Sequence, residues 1–176
     1  MTVDEFLAWA QDQPGRYELI GGETYAMSPA GAAHAEVKFA MQSALAAELR
    51  RRGLPCRMLP DGMTVRIDAT TAYEPDASVY CGERLPSTSV EVPNPIIVVE
   101  VLSPSRRRVD ATTKLAGYFR LASVAHYLIV DPSRPLVVHH ARGTGDTILT
   151  YVITEGMIAL NPSGIELRVA DFYPAN

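Results

Sequence analysis

Apolar positions in the first third of the chain follow a helical spacing. Between Ser28-Pro29 and Gly53 they recur every three or four residues, which predicts one long helix that ends at a glycine C-cap. These positions are Val37, Ala40, Met41, Ala44, Leu45 and Leu49. Thr2-Val3-Asp4-Glu5 is a capping-box pattern and predicts a short helix that ends before Pro14-Gly15.

Most other apolar segments are short and predict strands. Residues 16–20 and 23–27 flank Gly21-Gly22, a two-residue hairpin signal. Further strands are predicted near residues 56–59, 64–67, 77–80, 96–101, 126–130, 136–140, 148–154, 158 and 165–169. A second helix is predicted at about residues 109–121, with Leu115, Ala116, Phe119 and Ala122 as its buried stripe. The pattern predicts an α+β (mixed α/β) fold, a central mixed sheet flanked by helices, in one domain over residues 1–176.

The strand at residues 95–101 is apolar on both faces but carries Glu100. Such a strand is central, and an ionised carboxylate buried there costs roughly several kcal/mol unless it is compensated. Pro75-Asp76 opens another short apolar strand, and Lys114 follows on the predicted second helix. Two carboxylates on neighbouring strands with a lysine nearby predict a divalent-cation site that also attracts an anionic substrate. This combination suits phosphodiester hydrolysis.

The charge balance limits the nucleic-acid interpretation. The formal net charge is -4, which disfavours a general nucleic-acid binder, because duplex binding relies on phosphate neutralisation by Lys and Arg. Arg106, Arg107 and Arg108 nevertheless stand at a predicted helix N-terminus, where cations oppose the helix dipole. Contact with phosphate and a solvated loop are both open for these arginines.

Two features bear on the cellular compartment. Cys56 and Cys81 are too few for a disulfide framework and lack metal-ligand spacing, so we expect buried thiols in a reducing compartment. The N-terminus carries acids where a signal peptide carries bases, and no apolar run approaches the ~20 residues of a membrane span. A soluble, cytoplasmic protein with no membrane partner is expected.

The element order, with Pro75-Asp76 on one strand and Glu100 on the next, resembles the PD-(D/E)XK nuclease fold. The local sequence motifs resemble those of the Uma-two (Uma2) family of bacterial restriction-endonuclease-like proteins over nearly the whole chain. The matching segments are Tyr17-Glu18-Leu19-Ile20-Gly21-Gly22-Glu23, His34, Pro75-Asp76, Val99-Glu100-Val101-Leu102-Ser103-Pro104-Ser105, Asp110 to Lys114, Tyr118 and His126-Tyr127-Leu128-Ile129-Val130-Asp131-Pro132. The resemblance implies a Mg²⁺-dependent nuclease fold in which Mn²⁺ can substitute.

One position departs from the general nuclease pattern. The lysine of Glu-x-Lys would lie two residues after Glu100, where this chain has Leu102. The resemblance implies that Lys114 supplies this charge from the helix. The alternative is an exposed ion pair between Asp110 and Lys114 at i,i+4.

The chemistry suggests a role for each residue of the site. Asp76, Glu100 and the Val101 carbonyl would hold Mg²⁺, and Lys114 would orient the attacking water or stabilise charge on phosphorus. The alternatives are an Asx turn or helix cap for Asp76 and a buried ion pair with Lys114 or an arginine for Glu100. Glu18 is a candidate further ligand or base, or an exposed strand residue. His34 is a candidate proton acceptor or phosphate contact, or a structural histidine.

Three functions stay open at this level. The first is a metal-dependent nuclease, with DNA as the expected substrate and a homodimer expected because cleaving two strands usually takes two sites. The second is a nuclease-fold module that binds DNA or a partner without catalysis. The third is a metal-dependent hydrolase of another phosphoester. His139 and His140 lie on alternate faces of one strand and are interpreted as structural.

Overall fold

The computed structural model describes residues 1–103, 110–161 and 163–173. Its helices are α1 (Val3–Ala10), α2 (Ala32–Arg52) and α3 (Asp110–Arg120), followed by a 3₁₀ turn at Val169–Phe172. The strands are β1 (Tyr17–Ile20), β2 (Glu23–Ala26), β3 (Cys56–Pro60), β4 (Val65–Arg66), β5 (Ala72–Tyr73), β6 (Ala77–Cys81), β7 (Ile97–Val101), β8 (His126–Val130), β9 (Val137–Arg142), β10 (Ile148–Ile153), β11 (Met157–Leu160) and β12 (Ile165–Arg168). The mixed α+β class is confirmed.

A six-stranded sheet organises the molecule, in the order β10-β9-β8-β7-β6-β3. β7 and β8 pair in parallel and are joined through α3, whereas the other neighbours in this sheet pair antiparallel. A parallel pair needs such a crossover, so the helix after β7 necessarily packs on one face of the sheet. β7 lies inside the sheet, as its apolar sequence predicted.

The two faces of this sheet bury different partners. On one face, α2 packs its Val37, Met41, Leu45 and Leu49 stripe against β6, β7, β8 and the β11–β12 hairpin. On the other face, α3 and a second sheet cover Val98, Tyr127 and Ile129. Glu100 lies two residues after Val98 and so shares this second face.

The second sheet, in the order β2-β1-β5-β4, brings the N-terminal hairpin to the core. The predicted hairpin is confirmed, and Gly21 and Gly22 both adopt positive φ in its turn. β1 then pairs with β5 through Leu19 and Ala72. β5 has only two residues and no period to read, so the sequence did not predict it.

Both predicted helix ends are also confirmed. Thr2 and Glu5 form the capping box of α1. Gly53 closes α2 in the left-handed conformation, with φ 61°.

The predicted stripe of α3 is correct for two of its four residues. Leu115 and Phe119 pack half-buried against the core, but Ala116 and Ala122 are exposed, and the predicted stripe omits the buried residues Lys114, Gly117 and Tyr118. The apolar pattern missed this face because its central residue is a lysine, which a hydrophobic count assigns to solvent.

The expected free thiols are also wrong. Cys56 and Cys81 are directly paired residues of β3 and β6, and they form a disulfide. Neighbouring antiparallel strands bring their Cβ atoms into bonding range, a proximity that a separation of 25 residues conceals. The cysteines therefore give no support to the expected reducing compartment.

None of the helices in the described residues has the length and apolarity needed to cross a membrane.

Arg106, Arg107 and Arg108 fall outside the described ranges, and their expected contact with phosphate stays a prediction.

Candidate functional site

Strand register places Asp76 and Glu100 opposite each other. β6 and β7 pair antiparallel with Ala77 facing Val99, so the next position joins Asp76 to Glu100. Residues directly opposite on antiparallel strands carry their side chains on the same face. Asp76 is buried, and the side chain of Glu100 is 15% exposed.

Glu100 uses one oxygen for protein contacts. Its Oε1 accepts a hydrogen bond from the Lys114 ammonium at 2.9 Å and one from the Tyr118 hydroxyl at 2.8 Å. Burial raises the pKa of Glu100 to about 8 against the lowering effect of Lys114, and the neighbouring Glu18 and Asp76 carboxylates add to the rise. A cation bound at Oε2 would offset the same desolvation and favour the ionised form.

Lys114 connects two carboxylates inside the protein. Its Nζ donates to Glu18 Oε1 at 2.8 Å as well as to Glu100, and the ammonium lies 5.5 Å from the centre of the Tyr73 ring. The side chain is 2% exposed, so Lys114 is not a surface residue of α3, whereas the side chain of Asp110 lies outside the described part of the chain and its pairing with Lys114 stays a prediction. Lys114 and Tyr118 are four residues apart on α3, which places both donors on the helix face that meets Glu100.

Glu18 reaches the site from the second sheet. It is 1% exposed and also accepts the Glu74 backbone N–H at 2.9 Å, so the alternative of an exposed strand glutamate is wrong. Glu18 and Lys114 are 96 residues apart in the chain. The contact therefore depends on the N-terminal hairpin packing against the main sheet.

Asp76 is fixed by the backbone of the neighbouring strand. Its Oδ2 accepts the Val101 N–H at 2.7 Å, and its own carbonyl accepts the Gln42 side-chain amide at 2.7 Å. Lys38 Nζ lies 3.7 Å from Oδ1. Both carboxylate oxygens thus have defined surroundings, with Oδ1 on the side of α2.

His34 lies in the first turn of α2 and contacts the same segment. Its Nε2 is 3.1 Å from the Val101 carbonyl and 3.8 Å from Asp76 Oδ2. A carbonyl only accepts, so Nε2 carries a proton in this bond. Nδ1 is buried and has no hydrogen-bond partner within the described part of the chain.

These groups open into a cavity of about 310 Å³. Its lining includes all the predicted site residues except Glu18, which contacts Lys114 from the second sheet. It also includes Arg16 and Lys38, two cations that the sequence did not single out. The lining residues are Gly15, Arg16, Met27, Ser28, Pro29, Ala30, His34, Lys38, Asp76, Glu100, Val101, Leu102, Ser103, Lys114, Tyr127 and Ile129.

The donor set suits a hard cation only in part. Within residues 1–103, 110–161 and 163–173, no group of three or more His, Cys, Asp or Glu side chains is arranged to hold a metal ion. A cation here would rest on the carboxylates of Asp76 and Glu100, the Val101 carbonyl and water. Mg²⁺ accepts such a set, because it usually keeps several waters and binds through one or two carboxylates.

Sequence reasoning missed Arg16, Lys38 and Tyr118 as parts of the site. One signal was available for Lys38: among 16 basic residues, Lys38 and Lys114 are the only lysines of the chain. Tyr118 was placed in the resemblance, but its hydroxyl contact with Glu100 required the helix geometry. Arg16 precedes β1 with no pattern that marks it.

The two neighbouring histidines stand apart from this cavity. His139 contacts His126 on the α2 side of the main sheet, and His140 stacks on Tyr127 on the other side. Their alternate placement is as predicted, and neither lines the cavity.

Comparison with known proteins gives a consistent result. The model of the Uma2 family, described as "Putative restriction endonuclease", matches residues 3–170. Two proteins of Synechocystis sp., both named uncharacterized (slr1290 and sll1609), are each 26% identical to this chain. The first alignment covers 98% of this chain and 91% of the relative, and the second covers 88% and 89%.

A solved structure shares the fold. The crystal structure described as a putative nuclease belonging to DUF820 from Anabaena variabilis superimposes with a TM-score of 0.74 at 19% identity. The match covers 98% of this chain and 97% of the other, which supports the expected restriction-endonuclease-like core. With a family match over almost all of its length, the chain belongs to the Uma2 family of restriction-endonuclease-like proteins.

Proposed function

We propose that this protein is a divalent-metal-dependent nuclease that hydrolyses phosphodiester bonds, with DNA as its substrate. Asp76 and Glu100 would hold the metal, and Lys114 would act on the reacting phosphate. The family supports a nuclease-like function, and the more specific assignment rests on the chemistry of the cavity.

One observation carries the proposal: Asp76 and Glu100 face each other at the end of two central strands, beside a buried lysine. The carboxylates of Glu18, Asp61, Glu74, Asp76 and Glu100 outnumber the cations Arg16, Lys38 and Lys114, which leaves a net negative charge in a largely buried place when all these groups are ionised. Such an arrangement is costly unless a cation completes it. It is therefore better explained as a binding site than as a stabilising ion pair.

The oxygens available fit Mg²⁺ or Mn²⁺. Glu100 Oε1 is engaged by Lys114 and Tyr118, which leaves Oε2 available to a cation, and Lys38 lies 3.7 Å from Asp76 Oδ1, beyond hydrogen-bond distance. When bound, the metal would polarise the phosphate and lower the pKa of a coordinated water. Val101 would add its carbonyl as a third oxygen.

The protein groups then have separate tasks. Lys114, held by Glu18, would place positive charge where negative charge develops on the phosphate oxygens. His34 donates from Nε2 to the Val101 carbonyl, so Nδ1 is the ring nitrogen that would act as a proton acceptor. A homodimer in the cytoplasm stays our expectation, since duplex cleavage takes two sites.

The test is cleavage of plasmid, single-stranded DNA and RNA in Mg²⁺ or Mn²⁺. Lys114→Met should lower turnover by on the order of a hundredfold, the usual size of a transition-state electrostatic contact. Because Lys114→Met leaves Glu18 and Glu100 unbalanced, the double variant Lys114→Met/Glu18→Gln restores the charge and tests whether activity or folding was lost.

Metal binding is measured separately, by thermal unfolding with and without Mn²⁺. Parent protein should be stabilised by the metal, and Asp76→Asn should lose that shift. Asp146→Asn, at an exposed turn, is the matched control and should retain it. A metal shift that survives Asp76→Asn would argue against the site.

A second candidate is a nuclease-fold binding module without catalysis. The observations that favour it are the net charge of -4 and the direct ion pairs of Lys114, which partly neutralise the carboxylates without metal. No cleavage by the parent protein, across both metals and all three substrates, would favour this module.

A further inference from the structure

We propose that Arg16 and Lys38 form a second phosphate-binding subsite beside the carboxylates, so that the substrate is a strand carrying a further phosphate next to the scissile one. This inference rests on the proposed nuclease function and specifies its substrate. Both side chains line the same cavity as Asp76 and Glu100.

Lys38 lies on the α2 side of that cavity. Its Nζ is 3.0 Å from Asp61 Oδ2 and 3.7 Å from Asp76 Oδ1, and the side chain is 15% exposed. Lys114 approaches the carboxylates from α3, on the other face of the sheet. The two ammonium groups thus reach the cavity from different elements, which suits contact with two successive phosphates.

Arg16 is held in a fixed orientation by two of its three side-chain nitrogens. Its Nε donates to Glu74, and its Nη1 donates to Asp61 at 2.5 Å. Nη2 is buried and has no partner within the described part of the chain. A buried donor without an acceptor is costly, and a phosphate oxygen in the cavity would supply that acceptor.

The carboxylates beside these cations do not remove their role. Glu74 accepts from Nε and Asp61 accepts from Nη1, so both carboxylates orient the guanidinium without occupying Nη2. Asp61 is shared between Arg16 and Lys38 and so orients both. The planar Arg16 fork is then pre-organised for an anion, with little side-chain entropy left to lose.

The use of lysine in this chain points to the same place. The chain has 16 basic residues, and its only lysines, Lys38 and Lys114, both line this cavity. Arginine serves every other cationic position. A compact ammonium is suited to a phosphate oxygen as a point charge, so both lysines are explained by one ligand class.

The first experiment compares three thymidine dinucleotides by calorimetry in Ca²⁺: unphosphorylated, with a 5′-phosphate and with a 3′-phosphate. In the parent, one phosphorylated form should bind about tenfold or more tightly than the unphosphorylated one. This ratio should fall to about one in Arg16→Gln and in Lys38→Gln.

Arg168→Gln is the matched control and should keep the ratio. Arg168 is exposed on β12, which packs against the C-terminal turn of α2, far along the helix from Lys38. Equal binding of all three dinucleotides by the parent would overturn the inference. So would a ratio that persists in both Arg16→Gln and Lys38→Gln.

A second measurement, chemical labelling of lysine, uses the parent protein alone and does not depend on the folding of a variant. Lys114 is 2% exposed, so Lys38 is the one lysine side chain open to an amine-reactive reagent. Mass spectrometry should find Lys38 labelled, and the tighter-binding phosphorylated dinucleotide should protect it where the unphosphorylated one does not. Equal labelling with both would contradict the subsite.

The two proposals fail in different measurements. If Mn²⁺ does not stabilise the parent protein, or if the parent cleaves no substrate, the nuclease function is rejected. The dinucleotide ratio would still test phosphate binding by Arg16 and Lys38 on its own. An unchanged dinucleotide ratio in the variants, with cleavage and metal binding intact, removes the subsite alone.

Discussion

At the residue scale, Tyr118 determines how Glu100 is presented to the cavity. Its hydroxyl and the Lys114 ammonium both bond Oε1, and its ring packs against Tyr73 and Tyr127. Burial and the Glu100 carboxylate raise the pKa of Tyr118 well above its ordinary value, so the hydroxyl stays a donor at all working pH values.

Removal of the Tyr118 hydroxyl should lower the stability of the protein. We expect Tyr118→Phe to lower the free energy of unfolding by about 1–3 kcal/mol, because a buried hydrogen bond to the Glu100 carboxyl group is lost while the ring packing is kept. Chemical denaturation measures this change. Tyr151→Phe, on a ring that is 48% exposed, should change stability by less than about 0.5 kcal/mol. Equal effects of both substitutions would show that the Glu100 contact is not formed.

His139 gives the protein a defined pH dependence. Burial, followed by the influence of His126 and His140, lowers the pKa of His139 from 6.5 to about 4. Between these values the unfolded chain binds more protons than the folded one, so this residue's contribution to stability falls as the pH falls through that window.

The comparison that isolates this effect is the parent against His139→Gln, in urea at pH 7 and pH 5. The parent should lose about 1–2 kcal/mol more than the variant on acidification. Glu100, whose folded pKa is raised to about 8, contributes in the opposite direction but is present in both proteins. Parallel pH profiles would mean that His139 is not buried in its neutral form.

Among single residues, the sequence predicted those whose chemistry conflicts with their position. Glu100 in an apolar strand is such a conflict, and it led to Asp76 and Lys114. Tyr118 and Arg16 agree with ordinary burial or exposure, so no local signal marks them. Their roles arise from contacts across many residues of sequence, which periodicity does not encode.

At the element scale, the close approach of α3 to the second sheet depends on Gly117. A Cβ atom there would lie 2.6 Å from the Tyr73 hydroxyl oxygen and 2.7 Å from a ring carbon. Tyr73 also lies beside Lys114 and Tyr118, so displacement of this ring would disturb the site.

We therefore expect Gly117→Ala to destabilise the protein by about 1–3 kcal/mol through overpacking. Helix propensity alone would predict the opposite, a gain of about 1 kcal/mol. Ala116→Gly, on the exposed neighbouring position, measures that propensity and should cost about this amount. A stabilised Gly117→Ala would mean that α3 is not packed this closely.

The disulfide between β3 and β6 should stabilise the edge of the main sheet. In the chain-entropy account, closing a loop with a separation of 25 residues contributes about 3.5 kcal/mol. Dithiothreitol should lower the melting temperature of the parent. It should have no effect on the Cys56→Ser/Cys81→Ser variant, which should already melt at the reduced temperature. A parent protein insensitive to reductant would contradict a formed disulfide.

Elements with a clear period were predicted, and the others were not. The helical spacing of apolar residues predicted α2, and the continuous apolar run predicted β7 as a central strand. α3 was placed correctly along the chain, but its buried face was predicted only in part, because Lys114 lies on that face beside Tyr118. A polar residue that belongs inside for functional reasons reverses the usual inference from hydrophobicity.

At the scale of the whole molecule, the site draws on every layer. α2 supplies His34 and Lys38, the main sheet supplies Asp76 and Glu100, and α3 supplies Lys114. The second sheet adds Glu18 from behind. Apart from Lys38, the sequence predicted this set of residues largely through the family resemblance, since no local rule connects position 18 with position 114.

The Glu18–Lys114 contact has a consequence for how the protein acquires activity. It joins residues 96 apart, so the loop it closes is among the longest that the chain must organise. Chains in which the main sheet has formed but the N-terminal hairpin has not docked would expose Lys114 and leave it free to turn away from Glu100. Under the proposed function, Lys114 would reach its catalytic position only in the completely folded protein. Incompletely folded chains would then lack nuclease activity.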